Sequence, residues 1–290
     1  MEANFSGMKA SHGKSSIARL KDASAVNRRI RKPSNDKVLR PIHPNCGIEA
    51  EYRKRLNALV AEMHDSVKYW LTAEYRATGL AQDDLPANRL QSTISRLTRQ
   101  WQEKFNDAAA KLGLWFASKT KSYSDLRMTS RMKDAGMSVD FKMTQPMRDA
   151  YQAVIHEQVG LIRSIASEHL QEVQGLVMRS VQQGRNLGDL SKALEERYGV
   201  TKRRAALISR DQSNKATSTL TRVRQQELGI TQAKWKHSHA GKHPRPSHVA
   251  VDGEVYEVDK GMFIDGEWIF PGTEINCRCT SQSIIKGFKA

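Results

Sequence analysis

Leu228-Gly229-Ile230-Thr231-Gln232-Ala233-Lys234-Trp235-Lys236-His237 is the stretch at which the chain changes its pattern. Before it, apolar residues recur at three- and four-residue steps. After it, they alternate. Gly229 suits the left-handed position that follows a helix, and Ile230 suits the apolar contact that accompanies such a cap. Ala233, Trp235 and His237 then take every second position, the period of a strand. The expected fold class is therefore α+β, a mostly helical body with a small β-rich C-terminal cap.

Toward the N-terminus the helical signal is strong. Val154, Ile155, Val159, Ile162, Ile165, Ala166, Leu170, Val173, Leu176, Val177 and Val181 form a clean stripe from Pro146 to Gly184. Asn186 reads as the N-cap of a short helix ending at Gly199, and Thr201 as the cap of the next. Tyr52, Leu56, Val60, Met63, Val67 and Leu71 predict a helix over 47–78. Leu90, Ile94, Leu97, Trp101, Phe105 and Leu112 predict another over 88–118, after a loop at 79–87. The polar, Met- and Lys-rich segment 119–144 lacks a period and is expected to be a linker.

Toward the C-terminus, Val255, Tyr256 and Val258 follow a turn at Gly253. Met262-Phe263-Ile264 and Glu267-Trp268-Ile269-Phe270 flank Asp265-Gly266, a strong hairpin signal. The alternation favours a core role for Trp235, Tyr256, Phe263, Trp268 and Phe270 over stacking on bases. Three parts follow from this reading. They are a basic, flexible arm (1–45), a helical N-terminal domain with its linker (46–145), and a C-terminal domain (146–290) with helices at 146–228 and the β-rich cap at 230–290.

Composition narrows the classes. Lys and Arg number 47 against 31 Asp and Glu, a formal net charge of +16. Such an excess points to an acidic partner, most commonly nucleic acid. Arg28, Arg29, Arg31 and Lys32 in the arm, and Lys202, Arg203 and Arg204 at an expected helix start, are the candidate phosphate contacts. No apolar run of about 18 residues is present, so no membrane span is expected. The N-terminus lacks an apolar stretch of signal length, so synthesis in a reducing cytoplasm is expected. Three cysteines, Cys46, Cys277 and Cys279, are too few for a disulfide framework.

The chemistry-bearing residues concentrate between His237 and Cys279. Cys277 and Cys279 are two apart, which on a strand puts both sulfurs on one face, and His237 and His239 share that relation. With His248 and His243 they supply the ligand types of a structural zinc. Buried thiols acting as small hydrophobes are the other reading of the cysteines. No His-Glu-x-x-His, phosphate-cradling glycine loop or Gly-x-Ser-x-Gly elbow occurs, so no catalytic residue is assigned and an enzyme is not expected.

The helix Arg204-Ala205-Ala206-Leu207-Ile208-Ser209-Arg210-Asp211-Gln212 is followed by Leu228-Gly229-Ile230, Trp235 and Arg245-Pro246-Ser247-His248. Then come Asp252-Gly253, Pro271 and Cys277-Arg278-Cys279. This order resembles that of the phage Mu F-like minor head proteins, also called phage head morphogenesis proteins, over residues 150–285. In that family a Trp, an Arg-x-x-His and a Cys-Arg-Cys recur in this sequence, which makes Trp235, Arg245, His248, Cys277 and Cys279 the motif positions here. The run Lys37-Val38-Leu39-Arg40-Pro41-Ile42-His43-Pro44-Asn45 is similar to the start of such proteins. Pro244 and the extra histidines around it depart from the pattern.

The resemblance implies a few-copy component of the virion, in the head interior at the portal vertex. Its implied partners are the portal protein, capsid components and phage double-stranded DNA, and its implied role is head morphogenesis, DNA packaging or DNA ejection. Two rival classes are a zinc-dependent nuclease or hydrolase housed in the cap, and a DNA-binding effector injected with the genome.

Overall fold

The computed structural model describes residues 36–77, 86–184, 186–239 and 243–287. Arg28, Arg29, Arg31 and Lys32 lie outside the described residues. Four long helices carry the body: α1 (Cys46–Ala77), α2 (Pro86–Asp134), α3 (Gln145–Gln182) and α4 (Leu187–Glu227). The short strand β1 (Lys37–Val38) precedes them. After α4 come β2 (Gln232–Lys236), the one-turn helix α5 (Pro246–Ala250), β3 (Val255–Glu257), β4 (Met262–Ile264), β5 (Glu267–Ile269) and β6 (Thr280–Ile285). The fold is α+β.

Local sequence accounts for most helix ends. Asn45 Oδ1 accepts the backbone N–H groups of Gly47 (2.8 Å) and Ile48 (3.1 Å), an N-cap for α1. Asn186 Oδ1 does the same for Gly188 and Asp189 at the start of α4. At the other end of α4, Gly229 takes φ +68. The Ile230 N–H reaches Gln225 O at 2.9 Å and the Gly229 N–H reaches Gln226 O at 3.0 Å, the paired bonds of a Schellman cap.

Two expectations fail, each for a tertiary reason. Segment 119–144 is not a linker along most of its length, because α2 continues to Asp134. Thr120, Ser124, Met128 and Met132 are buried at four-residue spacing, a stripe that apolar periodicity undercounts because half of it is hydroxyl. The pair at Gly199 and Thr201 likewise does not divide α4. Thr201 is buried, and its hydroxyl donates back to Arg197 O (3.0 Å) and lies 2.9 Å from His169 Nδ1, so it is not free to cap a new helix. One consequence is that Lys202, Arg203 and Arg204 lie within a helix, not in its first turn.

All four helices contribute to one core, from Tyr52 and Leu56 through Trp101, Phe105 and Phe116 to Ile162, Leu170, Leu190 and Ala216. It runs across residue 145 without a break. Some of its buried polar groups form a chain across the helices. Tyr52 Oη donates to Gln158 (2.7 Å), whose amide donates to Gln212 (2.5 Å), tying α1, α3 and α4.

The cap is a four-stranded antiparallel sheet in the order β1-β6-β2-β3, with a separate β4-β5 hairpin. Lys37 pairs with Ile285 and Val38 with Ile284, so a segment read from composition as the end of a flexible arm closes one edge of the sheet. Leu39 and Ile42 are buried against Met128, Met132 and Ala135 of the body. Ala233 and Trp235 enter a second core with Ile230, Tyr256, Val258, Ile264, Cys277 and Cys279. The expected core role therefore holds for Trp235 and Tyr256. It fails for Phe263 and Trp268, which are 56% and 59% exposed and pack on each other at 5.4 Å on the isolated hairpin.

Candidate functional site

The C-terminal half of α4 is the platform on which the cap is seated. Gln225 Nε2 donates to Ser281 Oγ (2.9 Å) and Ser283 Oγ (2.8 Å) of β6. Arg222 lies 3.8 Å over the Phe270 ring, and the Ser218 hydroxyl donates to the Pro271 carbonyl. One turn pair further back, Asp211 Oδ1 accepts the Asn276 N–H (2.7 Å) and Arg210 donates to Asn276 Oδ1 (3.0 Å). Asn276 has φ +61, a left-handed conformation that asparagine tolerates better than most residues. The turn it makes presents Cys277 inward.

Cys277, Cys279 and His248 meet there, all buried. Cys277 Sγ lies 3.6 Å and Cys279 Sγ 3.7 Å from His248 Nδ1. The two cysteines precede β6 and are not within it, yet their two-residue spacing still brings both sulfurs to one side. His248 comes from α5, which Pro246 starts at a position where its missing N–H costs nothing. Its ring stands edge-on to Trp235 at 5.3 Å between centroids.

The other face of the His248 ring is also held. His248 Nε2 is 2.9 Å from Glu274 Oε2. The same carboxylate oxygen accepts from Arg245 Nη1 at 2.7 Å, while Arg245 Nη2 donates to Ile275 O at 3.0 Å. With the carboxylate on the Nε2 side, a proton held on Nε2 leaves the Nδ1 lone pair facing the sulfurs. The thiols are unequal. A hydrogen bond from Cys279 lowers the Cys277 thiol to about 6 against the opposing effect of burial, with help from the Cys279 and Gly272 backbone N–H groups. The same pairing, together with burial, pushes Cys279 up.

Residues 171–282 match the family model described as Phage Mu protein F like protein. This stretch is a Mu F-like domain. A protein of Haemophilus influenzae (strain ATCC 51907 / DSM 11121 / KW20 / Rd), recorded as an uncharacterized protein, is 25% identical over 254 residues. The alignment covers 85% of this chain and 55% of that relative, so the chain spans about half the length of the curated relative it matches. No solved structure matches the chain. The matched stretch takes in the last third of α3, all of α4 and nearly all of the cap.

Within the Mu F-like domain the expected site residues separate into two groups. Trp235, Arg245, His248, Cys277 and Cys279 form one cluster, and all but Trp235 border a cavity of about 480 Å³ whose wall also carries His237 and the exposed His243. His239 is not part of it. His237 and His239 both lie beyond the end of β2, and with a left-handed φ of +49 at His239 the two rings pack edge to face at 4.6 Å. His239 Nε2 instead lies 3.0 Å from Asp252 Oδ2, and the other oxygen of Asp252 accepts the His237 N–H at 2.9 Å. Burial alone would raise the Asp252 carboxyl. The bonds from His239, the His237 backbone and Lys236 outweigh it and hold the group at about 2.

Sequence reasoning missed Glu274, Asp211 and Asn276, the residues that orient His248 and present Cys277. The candidate phosphate contacts on α4 are mixed. Arg204 pairs with Glu168 (2.7 Å), Lys202 lies over the Tyr198 ring, and Arg203 is exposed. Among the described residues, no helix is long and apolar enough to cross a membrane.

Proposed function

We propose that this protein is a minor head protein of a tailed phage, associated with the portal vertex, acting in head assembly, DNA packaging or DNA ejection. The observation that carries the reading is the Mu F-like domain over residues 171–282. Its motif residues converge on one buried cluster where the cap meets α4. Convergence of this kind marks a cap kept as a rigid interaction module. Each long helix of the body is paired with others in a common core, which suits a scaffold for contacts with portal or capsid partners.

The net charge of +16 supports a second component of the proposal, non-specific contact with packaged DNA. Attraction to closely spaced phosphates needs no base-reading element. Such binding should weaken by orders of magnitude between about 50 and 200 mM salt.

Quantitative mass spectrometry of gradient-purified phage particles, proheads and post-ejection ghosts tests the reading. A few copies per head are expected. Copies retained in ghosts would assign a fixed vertex component, and copies lost with the genome would assign a role in ejection. Absence from both proheads and mature particles would overturn the proposal.

A further inference from the structure

Three donor atoms of the types that hold zinc converge in the buried core of the cap. We propose that His248 Nδ1, Cys277 Sγ and Cys279 Sγ form a zinc site that locks the cap to its own C-terminal turn. A zinc ion at about 2.3 Å from each sulfur and 2.0–2.1 Å from nitrogen, with tetrahedral angles, sets sulfur and nitrogen about 3.6 Å apart. The two measured separations are 3.6 and 3.7 Å, and all three donor atoms lie within 4.8 Å of one another. The ligand geometry is thus already assembled, and an ion enters without rearrangement of the backbone.

A second, independent observation is the far side of the imidazole. Glu274 Oε2 lies 2.9 Å from His248 Nε2, close enough to pair with it electrostatically, and Arg245 holds Glu274 in place at 2.7 Å. A ligating histidine almost always has such an outer carboxylate or carbonyl, which fixes its tautomer and raises its basicity.

The donor set selects the metal class. Two thiolates and one imidazole suit a borderline-soft tetrahedral ion, and a site of oxygen-preferring magnesium or calcium is excluded by the same chemistry. The fourth position opens on the cavity that the three ligand residues border. His237 is not the fourth ligand, because its Nδ1 accepts the His239 N–H at 3.1 Å, which leaves the ring proton on Nε2. Glu274 stands on the Nε2 side of His248, away from the three donor atoms. The gain is large for a cap whose core is small, since metal affinity is folding free energy for such a module.

The test uses the full chain, made without a histidine tag in zinc-supplemented medium. Elemental analysis of the folded protein should find about one zinc per chain. Cobalt loaded in its place should give thiolate charge-transfer absorption and the visible bands of a tetrahedral ion. Cys277→Ser, Cys279→Ser and His248→Ala should each abolish both signals. Glu274→Gln should keep the cobalt spectrum and weaken metal affinity about 10–100-fold. His239→Ala, whose ring faces Asp252, should retain the metal. Folded wild-type protein that retains neither zinc nor cobalt would overturn the proposal, as would full zinc in the Cys277→Ser, Cys279→Ser double variant. The wild-type measurement decides even where a variant fails to fold.

Discussion

Replacing Arg224 by methionine keeps much of the aliphatic stem and deletes a guanidinium that joins three parts of the molecule. Arg224 is fully buried near the end of α4. Its Nε and Nη2 donate to the two oxygens of Asp125 on α2, at 2.7 and 3.0 Å. Its Nη1 donates to Glu227 (2.6 Å) and to the Lys142 carbonyl (2.9 Å), and its plane lies 4.6 Å from the Phe141 ring. The substitution leaves two largely buried carboxylates and an unpaired carbonyl. Breaking a buried pair from one side costs about 3–5 kcal/mol, chiefly through the charge left behind. Asp125 keeps Lys121 at 2.8 Å, and Glu227 keeps the Thr144 hydroxyl, so the lower half of that range is expected.

Urea unfolding followed by far-ultraviolet circular dichroism measures the loss. The double variant Arg224→Met, Asp125→Leu should recover part of it, because the stranded carboxylate is then gone. An Arg224→Met protein within about 1 kcal/mol of wild type would refute the reasoning. So would strict additivity of the two single changes.

Three further outcomes are expected. Gly199→Ala should stabilise the protein by about 0.5–1 kcal/mol, since the residue is inside α4 and an added Cβ meets nothing nearer than Arg203 Nη1 at 3.5 Å. A lower melting temperature in this variant would argue for a helix break at that point. Gly261→Ala should cost about 1–3 kcal/mol, because φ is +90 and the new Cβ would lie 2.5 Å from the Ile269 carbonyl oxygen. Unchanged thermal unfolding would contradict that geometry. His169, fully buried, is held neutral by burial and by the charges of Arg197 and His64, which lower it to about 4 from 6.5. The unfolded chain therefore binds a proton that the folded chain refuses between about pH 6.5 and 4. Stability should fall as pH drops through that window, by about 3 kcal/mol in total from this group. His169→Gln should flatten that part of the stability–pH curve, and an unchanged slope would remove His169 as its cause.

How far the fold could be read ahead of the structure depends on where each signal comes from. The helices α1 and α3 were legible because their buried stripes are apolar and regular. The second half of α2 was not, because its stripe of Thr120, Ser124, Met128 and Met132 is buried against Leu39, Ile42 and α4, partners far away in sequence. Thr201 has the composition of a cap, and only the position of His169 and the Arg197 carbonyl shows its hydroxyl to be committed elsewhere. Alternation placed Phe263 and Trp268 on strands correctly. It could not say that the hairpin carrying them has no sheet opposite, which is what leaves both rings exposed.

The site follows the same division, and the division explains why residue type alone underdetermines it. His237 and His239 have the spacing of Cys277 and Cys279 and would be equal candidates on any linear reading. The backbone separates them, because the left-handed turn at His239 sends its imidazole to Asp252 while the turn at Asn276 brings both sulfurs to His248. Those turns are held by Asp252 in one case and by Asp211 from α4 in the other. A carboxylate in a loop or on a helix face has no period to betray it, so Glu274 carries no sequence mark and Asp211 stands out only as one member of the run Arg204–Gln212. Yet they decide which histidine and which sulfurs meet. The cluster is therefore a property of the cap and α4 together. Asp211→Ala offers the sharpest consequence of that view: it touches none of the three ligands, yet it should loosen the Cys277 turn and lower metal retention while leaving the helical body intact.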